Sequence, residues 1–472
     1  MRSLFWSALS LGSSRVAVFL VTLGLTRLLA PEDFGVVAAG LTLITFLEIA
    51  LDLGLGATVV YEQEEGIGQR VRTAYTLNLL IAAVLAGGAV LAAPAVAAFF
   101  RVPDATNLLR VLFCYLLLRG ASQVQTAVLQ RDLRYRERTY IDVTRAVIRG
   151  GVSLSLAATG SGPWAIVIGM LAGEVAGLVL SWYYVRLVPT LALHGDVVRA
   201  LLKFGVAAWG LKVVSALWAS GETLAIGNRL GPTDLGFYNV ALRLPELTID
   251  SVFWIFSGVS FSLYAKARAQ GMDAFRGSML RALRLVTLFG FSAGTGLAII
   301  APTAVPLLFS AKWEPAVEAT VILSLATALG AVGYASGDIF PAVGRPGLLL
   351  HLTAWMTGLS LVAYWFLAPQ GIAAVAWVVL AGHVVFGVLR QRLANKLVGT
   401  TWRQVLSAMV PAAVTALGVA CFALPVSLLM DRDALGLVLT ILAGLAGAGA
   451  GIALAGRSVV QELAGLLRAG LR

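Results

Sequence analysis

Apolar stretches of some twenty residues recur along the whole chain, broken by short turns holding Pro, Gly, Asp or clustered Arg. Each stretch is long enough to cross roughly 30 Å of hydrocarbon as a helix rising about 1.5 Å per residue. The pattern predicts spans near 4–30, 36–60, 73–100, 107–129, 139–160, 163–188, 204–230, 235–263, 283–308, 316–340, 347–367, 371–389, 404–429 and 434–456. A membrane barrel would read instead as short segments of alternating polarity. The expected fold is therefore an all-α polytopic membrane protein of about 14 transmembrane helices.

Composition strengthens this reading. Of the 472 residues 59% are hydrophobic and 12% charged, against about 25% charged in soluble domains. The first apolar run, Leu4 to Ala30, holds Arg15 and Arg27 and is too long for the core of a cleaved signal, so it reads as the first span. Cys114 and Cys421 both fall in apolar segments and are expected to be packing residues, with no disulfide framework or metal site implied. No cofactor is expected.

The formal net charge of +11 raises the question of nucleic acid, and the distribution of charge excludes it. With a cytoplasmic N-terminus, 23 of the 35 Lys and Arg lie on the cytoplasmic side, eight lie within spans, and Arg101, Arg229, Lys312 and Arg432 lie outside. That bias orients a membrane protein. Both termini are expected to be cytoplasmic. The densest basic loop, Arg131 to Arg138, is expected to sit near anionic headgroups. The polar connections 186–203 and 264–282 and the tail 457–472 are expected to form short amphipathic surface helices.

One self-similarity stands out at an offset of 201 residues. Pro31, Asp33 and Gly35 follow span one, and Pro232, Asp234 and Gly236 follow span seven, each set in an external turn. Proline, aspartate and glycine are ordinary turn chemistry, but the two sets stand one six-span unit apart. The expected organisation is an N-terminal six-helix lobe over 1–188, a second over 204–398, a terminal pair over 404–456 and the tail. Transporters are often built from such repeats, with the substrate site at the repeat interface near the midplane.

Charge inside the spans carries the functional information, because each such group costs about 2.5–3.5 kcal/mol to insert and faces protein or a watery cavity. Arg15, Arg119, Arg145, Arg149, Lys212 and Arg243 are the candidate cations; Arg27 and Arg110 lie near span ends and snorkel. Among the acids, Glu48, Asp52, Glu174, Glu222 and Asp250 are candidates for charge pairing or ion coupling. Folding each hairpin about its turn sets Arg15 level with Glu48 and Asp52, Arg243 level with Glu222, Lys212 near Asp250, and Arg149 near Glu174. Arg119 is left as an orphan, facing Gly87 and Gly88 of span three. Spans eleven to fourteen carry no charge beyond their ends. Interhelical ion pairing is one reading of the set. The other is a hydrated cationic cavity for an anionic, phosphorylated cargo, since guanidinium groups bind phosphate bidentately.

The segment Arg27 to Gly35, RLLAPEDFG, resembles the "RLLxPEDFG" turn of Wzx-like polysaccharide-repeat flippases of the multidrug/oligosaccharidyl-lipid/polysaccharide (MOP) exporter superfamily. The run Leu129 to Arg136, LQRDLRYR, is similar to the element that follows span four in that family. The resemblance implies a V-shaped two-lobed bundle in which spans 1, 2, 7 and 8 line a central cationic cavity. Arg15, Lys212 and Arg243 would stand among its basic residues. It also implies a cargo of oligosaccharide linked through pyrophosphate to undecaprenol.

The expected function is therefore a flippase that moves undecaprenyl-pyrophosphate-linked repeat units to the outer leaflet by alternating access. H+ or Na+ is the candidate coupling ion, and a glycan polymerase, assembly proteins and membrane lipids are the expected partners. The rivals are a lipid II flippase, a MATE-type cation or drug antiporter, and a membrane-embedded glycan polymerase or ligase. The many spanning arginines argue against a carrier of cationic drugs. The short external loops and the absence of a nucleophile–base constellation argue against an enzyme.

Overall fold

The computed structural model describes residues 18–51, 68–188 and 195–455, and every regular element among them is a helix. In chain order these are α1 (Val18–Leu28), α2 (Pro31–Leu51), α3 (Gly68–Phe99), α4 (Thr106–Phe113), α5 (Tyr115–Arg131), α6 (Tyr135–Ala158) and α7 (Trp164–Tyr184). There follow α8 (Gly195–Arg229), α9 (Pro232–Pro245), α10 (Ser251–Ala269), α11 (Met272–Phe309), α12 (Val317–Gly337) and α13 (Ile339–Ala342). The last are α14 (Pro346–Leu367), α15 (Ile372–Val398), α16 (Trp402–Leu429) and α17 (Ala434–Leu454). The described part of each predicted span falls on one helix or on consecutive helices, and 10 helical segments among the described residues are long and apolar enough to cross a membrane. The protein is a multi-pass membrane protein.

Local chemistry places the ends. Pro31, Pro232 and Pro346 open α2, α9 and α14, where the missing N–H costs nothing and the fixed φ suits the first turn. Thr401 and Gln404 form a capping box at α16: the Gln404 N–H donates to Thr401 Oγ1 at 3.4 Å and the Thr401 N–H donates to Gln404 Oε1 at 2.9 Å. Replacing Thr401 with alanine is expected to lower stability by about 1 kcal/mol, measured by thermal unfolding of the purified protein in detergent. An unchanged midpoint would mean that packing alone holds this helix end.

Three expectations are corrected here. Residues 264–282 do not form a separate surface helix. α10 runs to Ala269, the chain turns at Gln270 and Gly271 (φ 116°), and α11 begins at Met272 and continues for 38 residues. At about 1.5 Å per residue, α11 outruns a bilayer core, so the polar stretch is the projecting end of a span. Residues 195–203 are likewise the first turns of α8 rather than a separate helix. The tail 457–472 lies outside the described residues. Cys114 and Cys421 are exposed on the helical surface, not packed within it. An apolar segment has a lipid-facing side as well as a core side, and hydrophobicity alone does not separate them.

Contacts divide the chain into two compact units, residues 1–236 and 237–472. In the first, α6 packs along α7, α5 lies against both α3 and α7, and α2 meets α8. In the second, α11 packs on α12 and α16, α12 on α15, and α16 on α17. The terminal pair α16–α17 joins α11 in lining an apolar cavity of about 460 Å³, bordered by Phe289, Ser292, Gly296, Val419, Ile441 and Leu445.

The repeated turns of the first unit meet each other. A Cβ on Gly35 would fall on the backbone carbonyl of Pro232, and a Cβ on Gly236 would fall on that of Pro31. The two helix starts thus cross backbone to backbone, each glycine seated on the proline of the other turn. Asp33 holds its own turn by accepting from the Ala30 N–H at 2.8 Å.

A wide turn follows α9. Pro245 lacks the N–H that would continue the ladder, and the helix opens into a π-turn over Glu246–Asp250, where the Ser251 N–H reaches back to the Glu246 carbonyl. Asp250 stands at the end of that turn.

Candidate functional site

The first unit gathers ionisable side chains from four spans. Glu48 comes from α2, Tyr115 and Arg119 from α5, Asp142 and Arg145 from α6, and Glu174 from α7. Tyr115 and Arg119 stand one helical turn apart and share a face. The Tyr115 hydroxyl donates to Glu48 Oε1 at 3.0 Å, and Arg119 Nε lies 3.6 Å from the same oxygen. Arg145 Nε lies 3.1 Å from Glu174 Oε1, while its Nη1 lies 3.3 Å from Asp142 Oδ1. Arg138 extends the chain, with Nε 3.8 Å from Asp142 Oδ2.

Arg119 is therefore not an orphan. The hairpin argument compared α5 only with its neighbour in sequence, whereas the acid comes from α2. Gly87 and Gly88 face open space with nothing within 4 Å, so they border no site. Instead α5 meets α3 at Gly120, whose carbonyl accepts from Asn78 Nδ2 at 2.7 Å, which turns Arg119 toward α2.

The α6–α7 hairpin folds about residue 161 as its turn implies. Gly169, Gly173 and Gly177 of α7 oppose Ser153, Arg149 and Arg145 of α6. Arg149 thus lies beside Gly173 as expected, and Arg145 reaches Glu174 at 3.1 Å. The space allows this contact: a Cβ on Gly177 would stand 2.8 Å from Arg145 Nε and Nη2, so only glycine leaves room for that guanidinium to turn toward Glu174.

The two arginine pairs differ in accessibility. The side chains of Arg119 and Glu48 are 37% and 36% exposed, those of Arg145 and Glu174 only 17% and 7%. The second pair is largely shut off from solvent. An open pair of the first kind can exchange its carboxylate for another anion. Among the described residues three arginines meet three carboxylates, so the network is far closer to neutral than the bare ladder of cations read from the sequence.

The other candidates are placed as follows. Arg15 and Asp52 lie outside the described residues. Arg149, Lys212, Glu222 and Asp250 each have an interaction partner, and Glu222 is buried. Arg243 takes a hydrogen bond to Asn239 Oδ1 at 3.0 Å and lies 3.5 Å from Glu246, both on its own stretch of helix. One residue escaped the sequence reading altogether. Arg390 was set beyond the end of span twelve, but α15 continues to Val398 and holds Arg390 two turns inside its end. The signal available was the absence of any proline between Gly371 and Gly399.

The apolar spans hold paired arginines and carboxylates, and the fold is one also seen in a solved transporter of the MOP superfamily. It is similar to the solved lipid II flippase MurJ in an inward closed conformation, with a TM-score of 0.78 over 97% of this chain and 100% of that chain at 11% identity. It also resembles an inward-facing MATE family multidrug resistance transporter of the MOP superfamily, with a TM-score of 0.65 over 81% of this chain and 95% of that one at 17% identity. The chain belongs to the polysaccharide biosynthesis protein family, whose pattern matches residues 24–318. A relative, the succinoglycan biosynthesis transport protein ExoT of Rhizobium meliloti, is 24% identical over 85% of this chain and 79% of its own length. The resemblance read from the turn motifs is thus borne out at the level of family and fold.

Proposed function

We propose that the protein is a flippase that moves undecaprenyl-pyrophosphate-linked oligosaccharide repeat units from the cytoplasmic to the outer leaflet of the bacterial inner membrane. The carrying observation is the Arg119–Glu48 pair, about a third exposed between two membrane-spanning helices and held on one side by Tyr115. A pyrophosphate is a stronger bidentate partner for a guanidinium than a single carboxylate oxygen at 3.6 Å. On arrival it displaces Glu48 from Arg119, and Glu48 keeps the hydrogen bond from Tyr115. The family and the ExoT relative support a cargo used in polysaccharide biosynthesis.

The transport step is alternating access, in which the headgroup crosses with the protein while the polyprenyl tail stays in lipid. A membrane potential negative inside favours outward movement of an anion by about 2.3 kcal/mol per charge per 100 mV. Once displaced, the Glu48 carboxylate is an unpaired charge in the membrane, and a proton taken up there resets the site. Glycosyltransferases supply the cargo and a polymerase consumes it.

Replacing Arg119 with alanine is expected to abolish surface polysaccharide while protein level stays near wild type, because this pair is open and supports little of the fold. The check is surface glycan by immunoblot beside membrane protein by quantitative western blot. Normal glycan in the variant would refute the assignment. Loss of cell-wall synthesis with intact surface glycan would instead make lipid II the cargo, a reading favoured by the MurJ-like fold.

A further inference from the structure

The second unit carries an arginine of a different kind. Arg390 lies on α15 at the face that packs against α12. It is the nineteenth residue of its helix, about 27 Å from the start, close to the edge of the hydrocarbon core at the end that also holds Arg392 and Lys396. Glycines of α12 make room for it. A Cβ on Gly337 would collide with the guanidinium, and one on Gly333 would stand 3.9 Å from Nη1. The other side of the plane is set against Phe386, with Cζ 5.2 Å from the ring centroid.

Two other arginines of this unit direct donors at backbone carbonyls and a carboxylate. Arg268 donates to the Ala342 carbonyl, and Arg276 donates to the Val398 carbonyl at 3.4 Å and pairs with Asp273 at 3.0 Å. Arg390 has no hydrogen bond and no carboxylate within 4 Å among the described residues; Asp338 and Tyr334 act on it only at longer range. Its Nε is sealed from solvent without a partner, whereas Nη1 and Nη2 are not among the sealed atoms. A guanidinium flanked by a glycine notch and an aromatic ring thus has no hydrogen-bond partner for Nη1 or Nη2 among the described residues. An arginine held this way in a spanning helix is costly unless something anionic meets it.

We infer that Arg390 is the anchor of a second anion site, in residues 237–472, which takes a phosphate group through the Nη1–Nη2 edge. Phosphate matches this edge because two parallel N–H donors meet two oxygens of one group. The phosphate can come from the pyrophosphate of the cargo, from a resident anionic phospholipid, or from free pyrophosphate. In the first case the inference rests on the flippase reading; in the other two it stands without it. The notch also explains glycine at 337: any side chain there would push the guanidinium out of register.

The test uses the purified full-length protein in nanodiscs of zwitterionic lipid, titrated separately with undecaprenyl pyrophosphate, phosphatidylglycerol and inorganic pyrophosphate. Arg390→Gln is expected to weaken binding of at least one probe about tenfold or more, with Arg390→Lys in between, because a point charge keeps attraction but loses the fork. Thermal unfolding checks that both variants are folded. Should Arg390→Gln fail to fold, Gly337→Ala replaces it, since it keeps the charge and displaces the guanidinium. Loss confined to undecaprenyl pyrophosphate identifies the cargo headgroup, and loss with inorganic pyrophosphate as well shows that the headgroup suffices. Loss confined to phosphatidylglycerol upholds the site as a resident-lipid site and leaves the cargo reading to the Arg119 experiment. Equal affinity of wild type and variants for all three probes, or no binding of any probe by wild type, overturns the inference.

Discussion

Replacing Glu174 with alanine is expected to cost about 3 kcal/mol of stability, because it strands a buried arginine in the interior of the first unit. Glu174 is 7% exposed and stands 3.1 Å from Arg145 Nε, itself 17% exposed. Removing one partner of such a pair costs about 3–5 kcal/mol. The lower end applies because Asp142 still lies 3.3 Å from Arg145 Nη1 and neutralises part of the charge. The same logic sets the sign of the double variant. Replacing both Arg145 and Glu174 by leucine removes the unpaired charge and is expected to restore most of the loss. Thermal unfolding in detergent and the level of protein in membranes measure both. A double variant as unstable as Glu174→Ala would show that the pair is not what stabilises this hairpin. The contrast with Arg119 is the point of the experiment: its open pair is expected to affect export and not folding.

The second large effect concerns the crossed turns. Gly35→Ala and Gly236→Ala are each expected to destabilise the protein by about 3 kcal/mol, the upper end of the range for overpacking. In both cases the added methyl lands on a proline carbonyl, and a backbone group in the first turn of a helix cannot swing aside as a side chain does. The internal control is Gly87→Ala. Gly87 lies in the middle of α3 with nothing within 4 Å, so alanine there is expected to be neutral or to stabilise the helix by about 0.5–1 kcal/mol. If Gly35→Ala melts like Gly87→Ala, the two helix starts do not hold each other. Helix propensity alone predicts the same outcome at all three positions, which is why the comparison separates propensity from close packing.

The Arg119 and Arg145 assignments show how far sequence reasoning reaches. Height along a hairpin is set by chain geometry, so the centre at residue 161 correctly brought α6 and α7 into register, with Gly173 beside Arg149. That Arg145 also reaches Glu174 depends on a notch one turn away at Gly177, and notches are visible only when two helices are laid together. Arg119 failed for a related reason. Its acid comes from α2, a helix two spans away, and nothing in a hairpin pattern ranks non-sequential neighbours. The repeat at an offset of 201 was legible because Pro, Asp and Gly are few and rigid in their roles, but the seating of each glycine on the opposite proline was not. Arg390 was missed because hydropathy thins before a helix ends, so the span was drawn short of it.

By itself the sequence determined that this is a helical membrane protein, roughly where its spans lie, and which of them carry charge. Those are properties of single segments, decided by the cost of placing backbone and ionisable groups in hydrocarbon. Only the tertiary structure decided which of the described charges are paired, which pair is open, and which arginine lies in a glycine notch. Those depend on contacts between helices distant in the chain, where one missing Cβ at Gly177 or Gly337 makes room for a guanidinium. Among the described residues the ladder of cations has become a network of paired arginines and carboxylates in the first unit, with the Arg119 pair more open than the Arg145 pair, and a notched arginine in the second.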